Sequence, residues 1–253
     1  SVPNANVSSA SLALSSSNGG ARPQAVGDWF GPVNYHNGHA NRANLGDGIT
    51  IGIMDTPLDC SHPNLAINAN RICESRWWAG ANIVDGAPWL WDTHGSNVAG
   101  VAAGTAGYGL APNADIASFA VFDQNGNWYQ NLNQYLATVD FLVDRNGASV
   151  INWSFGSTVG GRDVSLDSWD VAAIRRARGD ALVVKAGGNA GNNVRGFQTD
   201  ATRRNVLNRY LNNFMYVGAL NAAGNGLANY SARPGRECIR GSRERRCNRR
   251  NLS

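Results

Sequence analysis

The sequence predicts an α/β fold, a doubly wound, mostly parallel sheet with helices on both faces. Three observations carry this. From Gly48 onward, short apolar strands alternate with amphipathic helical stretches. Strands joined through helices of this length pair in parallel, because a parallel neighbour is reached only by a crossover. Thirty glycines suit the tight turns at strand ends. At 253 residues, 43% hydrophobic and 16% charged, the chain can bury a sizeable core as one domain.

The elements follow in order. Residues 1 to about 18 are rich in Ser, Ala and Asn without clear periodicity and read as a flexible arm. The whole of 1–47 is assigned to an N-terminal leader, with Asp28-Trp29-Phe30 beginning a short packed segment. Ile49–Met54 is a short apolar strand. His94–Ala103 is a helix of small residues. Ile116–Phe122 is a strand. Leu132, Tyr135, Leu136, Val139 and Leu142 recur at helical spacing. Ala148–Trp153 is a strand. Leu166, Trp169, Ala173, Ile174 and Ala177 make a second helical stripe. Ala181–Val184 and Met215–Leu220 are two further strands.

In such sheets, functional residues gather at the C-terminal ends of strands. Asp55 ends one strand, Ser154 follows another and Asn189 lies shortly after a third. A carboxylate at Asp55 can accept an imidazole N–H and leave the other ring nitrogen as a base. The alternative is a turn-forming aspartate. His94 opens a helix, where it faces a cleft, and the small residues behind it let the helix approach the sheet. His36, His39 and His62 lack that setting and read as loop histidines. Ser154-Phe155-Gly156 is a short extended segment that can pair with a peptide backbone, or a plain strand exit. In Lys185-Ala-Gly187-Gly188-Asn189, the amide can face a developing oxyanion. Equally, the turn needs Gly and Asn for positive φ. It is not a phosphate loop, having neither Gly-Lys-Ser/Thr nor Gly-x-Gly-x-x-Gly.

Charge and cysteines narrow the function classes. The net charge of +4 is uneven. Arg233 to Ser253 holds eight arginines against two glutamates, a local +6, so the remainder sits near −2. The folded part is therefore not expected to bind nucleic acid. No apolar run reaches about 18 residues, so no membrane span is expected. Lys185 is the only lysine, a bias that fits a GC-rich gene. Cys60 and Cys73 flank a surface loop and either form a disulfide, fitting an oxidising compartment, or are unrelated thiols.

Together these stretches resemble the subtilisin-like serine proteases, in that family's order. Ile53-Met54-Asp55-Thr56, continued by Asp59-Cys-Ser-His-Pro-Asn-Leu65, resembles the aspartate motif. His94-Gly-Ser-Asn-Val-Ala-Gly100, preceded by Asp92-Thr93, resembles the histidine motif. Ile151-Asn-Trp-Ser-Phe-Gly156 resembles the substrate-binding strand, and Gly188-Asn189 the oxyanion asparagine. Gly109-Leu-Ala-Pro-Asn-Ala114, Val217-Gly-Ala-Leu220 and Asn229-Tyr-Ser231 also fit. The resemblance runs from about Gly48 to Gly235. It implies a secreted, monomeric serine endopeptidase with polypeptide substrates and no cofactor required for chemistry. Asp55 and His94 would be catalytic and Asn189 would bind the oxyanion. Ser154, Phe155, Gly156, Gly187 and Gly188 would bind substrate. No metal ligand is assigned. Asn64 stands where many members carry a calcium-binding aspartate, so structural calcium is left open. Ser96-Asn97 replaces the family's usual Thr-His.

The family's nucleophile sits in Gly-Thr-Ser-x-Ala, and nothing in the 253 residues matches that pattern. Ser231 lies in a segment the family already uses otherwise, and Ser242 sits among charges. After Gly235 the chain loses all hydrophobic periodicity. Three explanations compete: a basic tail, a pseudoprotease, and a frameshift or truncation. On this basis 48–235 is expected to be an incomplete peptidase domain and 236–253 an aberrant Arg-rich tail. Such a chain would be inactive as it stands and poorly stable, given that domains are stable by only about 5–15 kcal/mol. The alternative function is a peptide-binding pseudoprotease.

Overall fold

The computed structural model describes residues 45–66, 72–86, 94–105, 108–123, 128, 130–159, 162–164, 168–189, 191 and 212–231. The residues assigned to the leader up to 44, Asp92-Thr93, Leu166 and the tail from Ala232 lie outside these, as do His36, His39, Cys238 and Cys247.

Seven strands form one sheet: β1 (Thr50–Asp55), β2 (Cys73–Ala79), β3 (Asn82–Asp85), β4 (Asp115–Ala120), β5 (Ala148–Trp153), β8 (Leu182–Ala186) and β9 (Phe214–Val217). Their order is β3-β2-β4-β1-β5-β8-β9. All neighbours are parallel except β2 and β3, which form a hairpin. A separate antiparallel ribbon joins β6 (Ser157–Val159) to β7 (Arg162–Val164). The helices are α1 (His94–Ala103), α2 (Leu132–Asp140), which continues into a wider π-type turn at Phe141–Arg145, and α3 (Ser168–Arg176).

Alternation along the strands divides the core between two faces. Ile53 and Ile116 pack with Leu58, Leu65, Ala99 and Ala103, beneath α1. Met54, Ala117, Phe119, Ile151, Trp153 and Val183 pack on the other face, with Tyr135, Val139 and Leu142 and with Ile174 of α3. Successive residues thus face opposite helices, which is why these strands read as continuous apolar runs. The start of α2 is fixed by a reciprocal cap: Gln134 N–H donates to Asn131 Oδ1 at 3.0 Å, and Asn131 N–H donates to Gln134 Oε1 at 3.1 Å.

The predicted fold class holds: a mostly parallel sheet with α1 on one face and α2 and α3 on the other. The ribbon β6–β7 is not among the predicted elements, and three further details differ. The strand predicted over Ile116–Phe122 stops at Ala120, because Phe122 leaves to bridge Trp128, their rings edge to face at 5.9 Å. The strand predicted over Met215–Leu220 stops at Val217, and Leu220 instead bridges Leu227. The hairpin β2–β3 has no counterpart in the predicted elements. Glu74 and Arg76 interrupt its apolar pattern, and in the fold Arg76 pairs with both Glu74 and Asp85. Its other side is anchored by Trp78, whose ring packs on Phe119 and whose Nε1–H donates to Thr138 Oγ1 at 3.0 Å.

Candidate active site

Strand β1 is the switch point of the sheet. The chain builds β4, β2 and β3 on one side of it, then crosses to β5, β8 and β9 on the other. A crevice opens at the C-terminal ends of strands where the order reverses. Asp55 is the last residue of β1 and is 1% exposed. Its backbone carbonyl accepts Val121 N–H at 2.9 Å. Below it, Trp153 Nε1–H donates to Met54 Sδ at 2.9 Å, locking β1 to β5.

His94 is the first residue of α1, and its Nδ1 lies 2.6 Å from Asp55 Oδ1. A carboxylate only accepts, so Nδ1 carries the hydrogen and the ring lone pair lies on Nε2. The same Oδ1 accepts Thr56 N–H at 2.7 Å. Asp55 Oδ2 is buried with no hydrogen-bond partner among the described residues. An unsatisfied buried carboxylate oxygen is costly. The imidazole is thus held against a carboxylate that has little else to satisfy it. The His94 side chain is 24% exposed, so the ring reaches solvent while its partner does not.

Two contacts dock the start of α1 against the segment after β1. Gly95 N–H donates to Thr56 Oγ1 at 2.8 Å, and Asp59 N–H donates to Ser96 Oγ at 2.9 Å. A Cβ at Gly95 would lie 2.2 Å from the Thr56 carbonyl oxygen, so this approach admits only glycine. The Cys60–Cys73 disulfide, spanning 13 residues, ties the same segment to β2. Asp59 accepts from the Ser61 hydroxyl and from Ser61 N–H. The Ser61 hydroxyl, chiefly, holds the Asp59 pKa below the ordinary aspartate value. Among the described residues, no group of three or more His, Cys, Asp or Glu side chains clusters as a metal site would need.

Ser154, Phe155 and Gly156 leave the end of β5 beside β1 and lead into β6. Asn152 Nδ2 donates to Ser154 Oγ at 2.8 Å. Gly187 N–H donates to Val217 O at 2.8 Å, continuing the ladder with β9, and Gly188 has φ +112°. Glycine is therefore required at Gly188 to turn the chain toward Asn189, which is exposed. The structure joins Asp55 to His94 directly. Among the described residues it shows no hydrogen bond from Asn189 to that pair. Ser231 is buried and its Oγ accepts Ala219 N–H at 3.0 Å, a framework contact.

With this geometry in view, comparison with known proteins decides the lineage. Residues 46–241 match the model of the subtilase family. The chain belongs to that family. This subtilase is 31% identical over 166 residues to a thermostable alkaline protease of Halalkalibacterium halodurans, covering 63% of this chain and 40% of that protein. It is 31% identical over 159 residues to thermitase of Thermoactinomyces vulgaris, covering 58% of this chain and 50% of the relative. The subtilase sequence thus spans half or less of these curated relatives. Its fold matches a psychrophilic subtilisin-like protease from an Antarctic Pseudoalteromonas, with TM-score 0.55 and 24% identity, over 76% of this chain and 40% of that one. It also matches a serine protease of Aeromonas sobria, with TM-score 0.54 and 24% identity, over 74% and 35%.

The residues that dock α1, Thr56 and Ser96, were not singled out as a pair from the sequence. Nor was a role for Lys185, although a lysine within the apolar run Val183-Val184-Lys185 is a visible anomaly.

Proposed function

We propose that this chain carries the Asp–His part of a serine-type endopeptidase that cleaves polypeptides. The observation that carries this reading is the 2.6 Å contact between His94 Nδ1 and the buried Asp55 carboxylate, at the mouth of the sheet's switch point. Asp55 holds the imidazole in one tautomer and stabilises its charged form. His94 Nε2 takes the proton of a serine hydroxyl as that oxygen bonds to the substrate carbonyl carbon, and later gives it to the leaving amine. The Asn189 amide donates to the tetrahedral oxyanion. Ser154, Phe155 and Gly156 align the substrate backbone by strand addition, and Gly187 and Gly188 leave room for a substrate side chain. The chemistry needs no cofactor. A secreted enzyme fits the Cys60–Cys73 disulfide, which favours an oxidising compartment.

The 253 residues contain no Gly-Thr-Ser-x-Ala stretch, so by themselves we propose that they bind peptide without cutting it. That observation also favours the second reading, a non-catalytic peptide binder. One experiment separates the two. The coding DNA from Ala232 onward is translated in all three frames, and each extended product is assayed on denatured casein beside its His94→Ala variant. Cleavage lost in the variant supports the endopeptidase. Peptide binding without cleavage in any frame supports the binder. Cleavage that survives His94→Ala refutes the assigned roles.

A further inference from the structure

Lys185, the chain's single lysine, sits in β8 and is 2% exposed. Burying an ammonium is unfavourable, and a methionine would fill a similar volume without that cost. What the ammonium touches therefore matters. Its Nζ donates to the backbone carbonyl of Phe155 at 3.0 Å. It lies 4.6 Å from the centre of the Phe155 ring and 5.3 Å from that of Trp153. Asp170 Oδ2 of α3 is farther, at 3.7 Å, while Asp170 Oδ1 accepts the Tyr135 hydroxyl at 2.9 Å. The shortest polar contact of Lys185 is thus with the main chain of Phe155, and Asp170 supplies a counter-charge from behind.

Phe155 is the middle residue of the exit segment after β5. Register pairs Met54 with Trp153 and Trp153 with Lys185, so these three side chains share the face of α2 and α3. Asp55, the next residue of β1, turns to the face of α1, where it meets His94, and Ser154 follows the end of β5. In extended backbone, successive carbonyls also point to opposite sides. With the Phe155 carbonyl held by Lys185, an extended Ser154–Gly156 segment would turn the Ser154 carbonyl and the Gly156 peptide groups to the opposite side.

We propose that Lys185 is a positioning residue for peptide binding: a buried cation that pins the Phe155 carbonyl so that Ser154 and Gly156 present their backbone groups to an extended peptide. This rests on the reading that Ser154–Gly156 pairs with a peptide backbone. Lys185 does not touch the peptide, so its loss weakens binding and leaves the reactivity of His94 intact.

The test uses the 253-residue chain and needs no nucleophilic serine. Acetyl-tetra-alanine chloromethyl ketone alkylates a neutral imidazole: the methylene carbon bonds to Nε2 and chloride leaves. Mass spectrometry follows the modification of His94 against reagent concentration, with chloroacetamide as a reagent lacking a peptide. Lys185→Met is expected to raise the half-saturating concentration of the peptide reagent about tenfold, the effect of one lost hydrogen bond and its alignment. The maximal rate and the chloroacetamide rate stay as in the wild type. Lys185→Arg, which keeps donor and charge, recovers most of the affinity. Should Lys185→Met fail to fold, Lys185→Met with Asp170→Asn leaves no unpaired buried charge, and the same criterion applies. An unchanged half-saturating concentration in whichever of these variants folds overturns the proposal. If the wild type reacts no faster with the peptide reagent than with chloroacetamide, the peptide-cleft reading itself fails, and the role of Lys185 falls with it.

Discussion

Gly95→Ala tests how the fold brings His94 to Asp55. The added Cβ would meet the Thr56 carbonyl oxygen at 2.2 Å and Leu58 Cδ1 at 3.1 Å. Real Cβ atoms essentially never come within 3.0 Å of backbone, so the helix start must retreat by about 0.8 Å. Carried to His94, that stretches its contact with Asp55 from 2.6 Å to about 3.4 Å, beyond a normal hydrogen bond. Overpacking costs about 1–3 kcal/mol, and weakening the Gly95 N–H to Thr56 Oγ1 bond costs about 1 kcal/mol more. Alanine's better helix propensity returns about 0.5–1 kcal/mol. The clash wins, for a net loss of about 1–3 kcal/mol. Gly100, on the same helix, is the matched control, because its added Cβ meets nothing within 4 Å. There only the propensity gain remains, about 0.5–1 kcal/mol. Amide hydrogen exchange across Val98–Ala103 reads both changes as local stability. Gly95→Ala should lower protection about 10- to 100-fold, and Gly100→Ala should raise it about two- to fivefold. Equal or greater protection in Gly95→Ala would refute the reasoning, as would an equal loss in both variants.

Two further predictions concern the segment after β1. Cys60 and Cys73 are separated by 13 positions, and closing a loop of that size stabilises a fold by about 3 kcal/mol in the chain-entropy account. The double variant Cys60→Ser, Cys73→Ser should therefore lower amide protection in β2 about 100-fold; unchanged protection would show that the cross-link constrains nothing. Asp59 has a lowered pKa, so its bonds to Ser61 stabilise the fold above the unfolded aspartate value, about 3.9. That contribution fades as pH falls through the folded value. The stability difference between wild type and Asp59→Asn should accordingly be present at neutral pH and shrink below about pH 4. A difference that persists or grows in acid would contradict the assignment.

Much of the fold was legible because it is local. The helix His94–Ala103 and the strand Ala148–Trp153 lie where small-residue and apolar runs predict them, since period and propensity act over a few residues. Strand ends, where a parallel sheet exposes its backbone, point to Asp55, Ser154 and Asn189 as candidates, and of these the structure shows Asp55 in contact with another candidate, His94. The hairpin β2–β3 was not legible, because its charges are satisfied by partners in the tertiary fold: Arg76 reaches Asp85 across the turn. The docking glycine was invisible for a related reason. Gly95 and Gly100 look alike in sequence, and only the approach of Thr56, 39 positions away, distinguishes them. Lys185 stands out in the sequence only as the single lysine, and its contact with Phe155 spans 30 positions. Sequence by itself determined the class of sheet, the order of its elements and the residue types at the strand ends, all set by short-range pattern. Tertiary structure alone decided that Asp55 and His94 touch, that one glycine is irreplaceable and that one lysine is buried, because each depends on distances between segments remote along the chain.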